Sequence, residues 1–297
     1  NPTVNITNTV NKNTPISDPN IVVSKIFNEV NECNFTKDKT SVCSPPEIVD
    51  NMKKYIEKKG KPVPNNPVKI INTMKELLDC NSESCILKRD DFTEFAKLHN
   101  LDGILDKFFK PNGPATNFGL LTNFNIDDVL DQFEERFKDR HFLHIPFQMR
   151  DFEKVGTQLA TLDLAKKFKE GYKTFGVVIN TDWHFSSGIH WFCLMGEHYG
   201  DKIILEYFNS SGLNPLPEIQ AWLQKTKHYL TKSLNIPVEI LYSTGIRFQS
   251  DDHSCGVYCL AYIWLRLENV PPKWFKNNNF NDAMMHKLRK NLFRHEV

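Results

Sequence analysis

The sequence predicts an α+β fold, a domain of mixed helices and strands behind a helical N-terminal arm. Three observations lead there. From residue 46 to about 110, apolar residues recur at the three- and four-residue spacings of helices. Beyond about 118, compact apolar runs such as Phe175-Gly176-Val177-Val178-Ile179 mix with amphipathic segments. Pro111, Gly113 and Pro114 break the pattern between the two regions.

Taken in order, residues 1–45 are rich in Asn and Thr with few aromatics, and are expected to form a poorly packed leader. Residues 46–115 are expected to form the helical arm. Pro45-Pro46-Glu47 opens a helix carrying Ile48, Met52, Tyr55 and Ile56, and shorter helical pieces follow at 70–78, 92–98 and 101–109.

Residues 116–297 are expected to form the second, α+β domain. Phe133 to Phe137 suits a helix, and the run 175–179 a buried strand. Residues 188–195 and 202–208 flank a short turn, Glu197 to Asp201, and read as a hairpin. Ile219, Trp222, Leu223, Leu230 and Leu234 mark an amphipathic helix after Pro215 and Pro217. Residues 238–242 form another strand, an apolar helix follows from Cys255 to Leu267, and a last helix spans 282–293.

Composition excludes some functions. With 37 Lys and Arg against 36 Asp and Glu, the net charge of +1 provides no general field for nucleic acid or a membrane surface. Lys53-Lys54, Lys58-Lys59 and the Lys287–Lys290 cluster read as solvated helix faces. No stretch approaches the ~18 apolar residues of a membrane span. Seven cysteines, an odd number, do not suggest a disulfide framework. The sequon Asn209-Ser210-Ser211 would expose a candidate site residue to glycosylation on secretion. A reducing, non-secretory compartment is therefore expected. Cys80 and Cys85 are read as structural thiols, because a zinc site needs four ligands and no matching second Cys or His pair is spaced for it. No metal and no cofactor are expected, and the oligomeric state is left open.

Four features fit one chemistry. Cys255 stands in Ser254-Cys255-Gly256-Val257, where an apolar helix begins. Unsatisfied N–H groups at a helix N-terminus favour thiolate over thiol. Gly256, without a Cβ, would let a substrate carbonyl approach those N–H groups. His190 lies in an otherwise apolar strand of the hairpin and needs a partner there. Asn209 follows the paired strand and precedes a Gly-containing turn. In an antiparallel pair these two ends are neighbours, so Asn209 can hold one nitrogen of His190 while the other takes a thiol proton. Gln249, six residues before Cys255 on a polar loop, could donate to an oxyanion. Each residue alone has a plainer reading: a buried thiol, a satisfied core histidine, a turn asparagine. His253, close to Cys255 in sequence, ranks below His190 as the base.

The order His, Asn, Gln, Cys, with Trp191 directly after His190 and Gly256 directly after Cys255, resembles the ubiquitin-like-protein (SUMO) proteases and the adenovirus protease. More specifically, it resembles the African swine fever virus type of polyprotein-processing cysteine protease. The resembling stretches include Gly119–Asp127, Asn180-Thr181-Asp182, Glu206–Ser210 and Leu292-Phe293-Arg294. The resemblance covers roughly residues 46 to 297 and leaves the Asn-rich leader outside, so a related large DNA virus is the expected source.

It implies a papain-like, ubiquitin-like-protease-type core, a central mixed sheet flanked by helices, with Cys255 as nucleophile, His190 as base, Asn209 as orienter and Gln249 as oxyanion donor. It also implies cleavage after Gly-Gly, with Trp191 as an aromatic wall of a channel that admits only glycines. A flat slot of that kind excludes any Cβ. The substrates would be viral structural polyproteins, cut at Gly-Gly-Xaa sites in host cytoplasm and virion. Gly-Gly occurs nowhere among the 13 glycines of this chain, so self-cleavage at such a site is not expected. The rival readings are a SUMO- or ubiquitin-deconjugating protease, an acetyltransferase using the same thiol and histidine, and an inactive virion scaffold.

Overall fold

The computed structural model describes residues 18–28, 31–37, 42–114, 116 and 118–294. Six helices come first: α1 (Pro19–Asn28), α2 (Pro46–Lys58), α3 (Pro67–Leu78), α4 (Glu83–Lys88), α5 (Asp90–Ala96) and α6 (Leu101–Phe108). Pro46 and Pro67 open α2 and α3 at the first helical position, where a missing N–H costs nothing. The Asn66 side chain caps α3 by accepting from the Val68 N–H. Ile48, Met52, Tyr55 and Ile56 line one face of α2 and bury against Met74, Phe92 and their neighbours, in a hydrophobic cluster confined to residues 33–109.

Two expectations are corrected here. Within the leader, α1 is packed: Val23, Ile26 and Phe27 enter the same core as Leu288 and Leu292 of the last helix. Asn- and Thr-rich composition masked three apolar residues at helical spacing. Residues 1–17 lie outside the described residues. The cysteines also pair, as Cys33–Cys43 and Cys80–Cys85 disulfides with Cα atoms 4.8 and 5.7 Å apart. Cys193, Cys255 and Cys259 remain buried thiols. An odd total leaves one thiol over but does not forbid pairs, because pairing depends on Cα separations that counting cannot supply. The cysteine argument for a reducing compartment falls with this.

The rest of the chain builds a five-stranded sheet. It comprises α7 (Asn123–Arg136), β1 (Phe142–Met149), α8 (Phe152–Val155), α9 (Gln158–Thr161), α10 (Leu164–Lys169), β2 (Thr174–Asn180), β3 (Trp191–His198) and β4 (Ile203–Phe208). It continues with α11 (Pro217–Leu234), β5 (Val238–Ser243), α12 (Cys255–Leu267), α13 (Pro272–Asn277) and α14 (Asp282–Leu292). Strands lie in the order β1-β2-β3-β4-β5. The outer pairs are parallel and the inner two antiparallel, so the sheet is mixed. β1 escaped the sequence because Pro146 and the polar His144 and Gln148 interrupt its apolar pattern. Pro146 sits where the register shifts between Ile145 and Gln148, on an edge strand that can spare a donor.

Alternation along β3 divides the core. Trp191, Cys193 and Met195 pack with α7 and α12, whereas Phe192 and Leu194 pack with α11 and the helices after β1. The result is three layers, helices on both faces of one sheet. Every residue of α12 is buried, which explains why its sequence is apolar all round. Arg266, the charged residue of α12, is matched by Glu206 of β4 at 2.7 Å. Among the described residues no helix is long and apolar enough to cross a membrane.

Candidate active site

The β3–β4 hairpin supplies the first pair. Its register sets Cys193 opposite Phe208, so the chain entering β3 runs beside the chain leaving β4. The turn is shorter than expected, since β3 runs on to His198. The two ends bring His190 and Asn209 together, with Nε2 2.8 Å from Oδ1. That oxygen can only accept, so Nε2 carries the proton and Nδ1 is left as the basic nitrogen. Asn209 is buried and held in turn: its amide donates to the Tyr207 hydroxyl (3.0 Å), and Oδ1 also accepts from the Ser211 N–H (3.0 Å) and hydroxyl (2.7 Å). Burial lowers the pKa of His190, opposed by the Asn209 contact, so the neutral imidazole is favoured near pH 7.

The loop that delivers His190 is clamped at its base. Thr181 N–H donates to the His190 carbonyl at 2.8 Å. The buried Asn180 accepts from the N–H groups of Asp182 and Ile189, each at 3.0 Å. Gly188 has φ +94°, and a Cβ there would lie 2.8 Å from the Asn180 amide, so both the conformation and the space require glycine. Asn180 is a positioning residue that the chemistry-first reading missed. Its sequence signal was a place in the stretch Asn180-Thr181-Asp182.

Cys255 opens α12 and is 3% exposed. The backbone N–H groups of Trp191, the residue next to His190, and of Gly256 and Cys255 itself act to lower the pKa of the thiol. The expectation that the helix terminus favours thiolate is reversed. Burial pushes the thiol up to about 11, and the N–H donors only partly offset it. Burial thus favours the neutral forms of both the Cys255 thiol and the His190 imidazole.

Gly256 also has a packing role that the sequence did not suggest. A Cβ on it would lie 3.0 Å from the Cβ of Leu121, so its lack of a side chain admits the 118–122 segment against the start of α12. The same segment is tied by Trp191, whose indole N–H donates to the Leu121 carbonyl at 3.0 Å. Arg289 holds it further back, at the Gly119 carbonyl (2.5 Å). Leu121 is the second residue that motif reasoning missed, because nothing in an isolated leucine marks it.

Gln249 is buried on the loop before Cys255. Its side-chain oxygen accepts from Ser210 (2.7 Å), and its amide donates to the Asp251 carbonyl (3.0 Å) and carboxylate (3.3 Å). In this arrangement the amide is turned toward its own loop. His253 stacks on His286 with ring centroids 5.5 Å apart, and its ring contacts go to Asp251 and Asp252.

A cleft of about 370 Å³ opens onto Cys255, lined by Leu120, Leu121, Phe147, Gly188 and Trp191 among others. Trp191 and Phe147 meet edge to face at 6.2 Å along it. The exposed side chains of Leu120 and Ile189 stand at its rim. A thiol that lines a cleft of this kind can attack a peptide carbonyl bound in it.

No family model matches the chain. The chain is 33% identical over 288 residues to a cysteine protease of African swine fever virus, strain Badajoz 1971, covering 92% of this chain and 98% of that protein. It is 32% identical, with the same coverage, to a protein named SUMO-1 cysteine protease from a Kenyan pig isolate of that virus. A crystal structure of the African swine fever virus protease matches with a TM-score of 0.75 and 32% identity, over 89% of this chain and 96% of that one.

Proposed function

This chain belongs to the family of the African swine fever virus cysteine protease, and from that premise we propose that it cuts viral structural polyproteins at Gly-Gly-Xaa sites during virion maturation. Cys255 is the nucleophile, His190 the base, Asn209 the orienter and Gln249 an oxyanion donor. The work is done in host cytoplasm and in the virion.

The observation that carries this reading is the His190–Asn209 contact of 2.8 Å, one residue away from Trp191, which lines the same cleft as Cys255. Nδ1 of His190 takes the Cys255 proton as the sulfur attacks the carbonyl after Gly-Gly. The resulting imidazolium keeps its Nε2 proton on Asn209. Backbone N–H at Cys255 and the Gln249 amide receive the oxyanion. For this the Gln249 amide exchanges its Asp251 contact for the substrate. The imidazolium then protonates the leaving amine, and water, deprotonated by the same imidazole, releases the acyl group from sulfur. The substrate reading is supported by the aromatic and aliphatic side chains of Trp191, Phe147 and Leu121, which line the cleft that holds Cys255.

Digestion of candidate virion precursors, with termini read by mass spectrometry, tests it. New C-termini ending in Gly-Gly, absent with Cys255→Ser, are the expected result. Faster cutting of a SUMO or ubiquitin C-terminal fusion than of any precursor would move the assignment to deconjugation. Acetyl transfer without peptide cleavage would move it to a transferase. No labelling of Cys255 by thiol probes would leave a scaffold.

A further inference from the structure

Asp251, His253 and His286 converge beside the nucleophile in a way the peptidase chemistry does not use. The Asp251 Oδ2 atom lies 3.0 Å from Nε2 of His286 and 3.4 Å from Nε2 of His253, and the three atoms all fall within 4.8 Å of one another. A divalent ion with ~2.0–2.1 Å bonds to imidazole and carboxylate at tetrahedral angles holds its ligands roughly 3.3 Å apart. Both measured separations fit that spacing.

A second observation points to a ligand. Nε2 of His253 is buried and has no hydrogen-bond partner, a costly condition for a polar ring atom. Behind it, Nδ1 of His253 faces the Asp252 carboxylate at 3.2 Å, the arrangement that orients metal-bound histidines. The rings of His253 and His286 stack within 9° of parallel, and the exposed Phe118 packs edge-on against both, at 5.4 and 6.0 Å. His286 is 41% exposed, which gives an ion access from solvent. Arg289 is the opposing charge: its guanidinium donates to the carbonyls of His253 and Gly119. Asp252 and Asp282 counter it, the latter through contacts to the N–H groups of Ser250 and Asp251.

We propose that Asp251, His253 and His286 form a binding site for a zinc-class divalent cation, completed by water. Two imidazoles select zinc, cobalt, nickel or copper over magnesium and calcium. The sequence search for zinc missed it because it looked for a four-residue set, and His286 comes from a distant helix. A bound ion joins α14 to the loop that ends at Cys255. That loop is organised by Asp251, which accepts from the N–H groups of His253 and Ser254 and from the Gln249 amide. The site therefore acts on the stiffness of the segment bearing the proposed oxyanion donor.

Calorimetric titration of the full chain with zinc chloride tests the site, in a Cys255→Ser background that removes the active-site thiol as a competing ligand. One ion per chain is expected, with affinity reduced at least tenfold by His286→Gln and by His253→Gln. His184→Gln, which alters a different histidine–carboxylate pair, should leave it unchanged. Thermal melts should rise with zinc in the background protein and not in His286→Gln, a substitution at a half-exposed residue that leaves the core intact. Absence of saturable binding, or binding undiminished in both histidine variants, overturns the proposal. These readouts do not depend on peptidase activity, so they stand or fall separately from it.

Discussion

His190 Nε2 and Asn209 Oδ1 meet at 2.8 Å although neither residue lies within a strand: one precedes β3 and the other follows β4. The hairpin register makes the contact, and the contact leaves Nδ1 as the basic nitrogen of the imidazole. His190→Ala should lower kcat/KM by roughly 10²–10⁴-fold, the usual worth of a positioned base. Asn209→Ala should cost less, on the order of tenfold to a hundredfold, because the ring remains but loses its tether. Asn209→Asp should retain activity and raise the pKa of His190, read by NMR titration of the ring. A kcat unchanged in Asn209→Ala would count against the orienting role.

Gly256→Ala drives a Cβ to 3.0 Å from Leu121. Overpacking of this kind typically costs about 1–3 kcal/mol. The Trp191–Leu121 contact should loosen with it, and peptide cleavage should fall more than stability does. Adding Leu121→Gly, which removes the Cβ that is met first, should restore part of the melting temperature. If the double variant is no more stable than Gly256→Ala, the close approach is not what glycine serves.

His144 is 3% exposed by side chain and is gripped by Asp131 at 2.7 Å and Asp127 at 3.2 Å. Burial opposes its charge, but the two carboxylates prevail and raise its pKa to about 9. A pKa raised above its unfolded value stabilises the fold fully below about pH 6.5, and the contribution disappears as pH climbs through about 9. His144→Gln should destabilise by roughly 2–3 kcal/mol at about pH 6, after discounting for the exposed Asp131, and much less at about pH 10. Denaturant unfolding at the two pH values checks it. Equal losses at both would mean the charge contributes nothing.

The two disulfides close loops with sequence separations of 10 and 5. Loop-closure entropy assigns each roughly 2–3 kcal/mol. Cys33→Ser/Cys43→Ser should therefore lower the melting temperature of the arm, whose own cluster contains both residues. Cys193 and Cys259, fully buried, should stay unreactive toward thiol reagents in the folded protein. Free-thiol counting in native and denatured protein tests this, three thiols without reductant being expected on denaturation.

What the sequence disclosed follows period and order. β2, β4, β5, α11, α12 and α14 were legible because each carries an unbroken apolar pattern of the right period. His190 and Asn209 were legible as partners because antiparallel pairing is a local rule. β1 was hidden by Pro146 at its bulge, and α1 by the polar composition around Val23, Ile26 and Phe27. Leu121 gave no chemical signal, since its role comes from its backbone carbonyl and a tertiary approach. The Asn180 side chain acts on backbone N–H groups that the sequence does not place beside it. The ionisation of Cys255 was misjudged for a related reason: a helix terminus can be read from sequence, but the burial that outweighs it cannot.

Mass-spectrometric mapping of the thiol captured by a Gly-Gly peptidyl electrophile tests the central claim most directly. The adduct is expected on Cys255 alone, near one per chain in the parent protein and strongly reduced in His190→Ala. An adduct on Cys193 or Cys259, or equal capture by the His190→Ala variant, would contradict it.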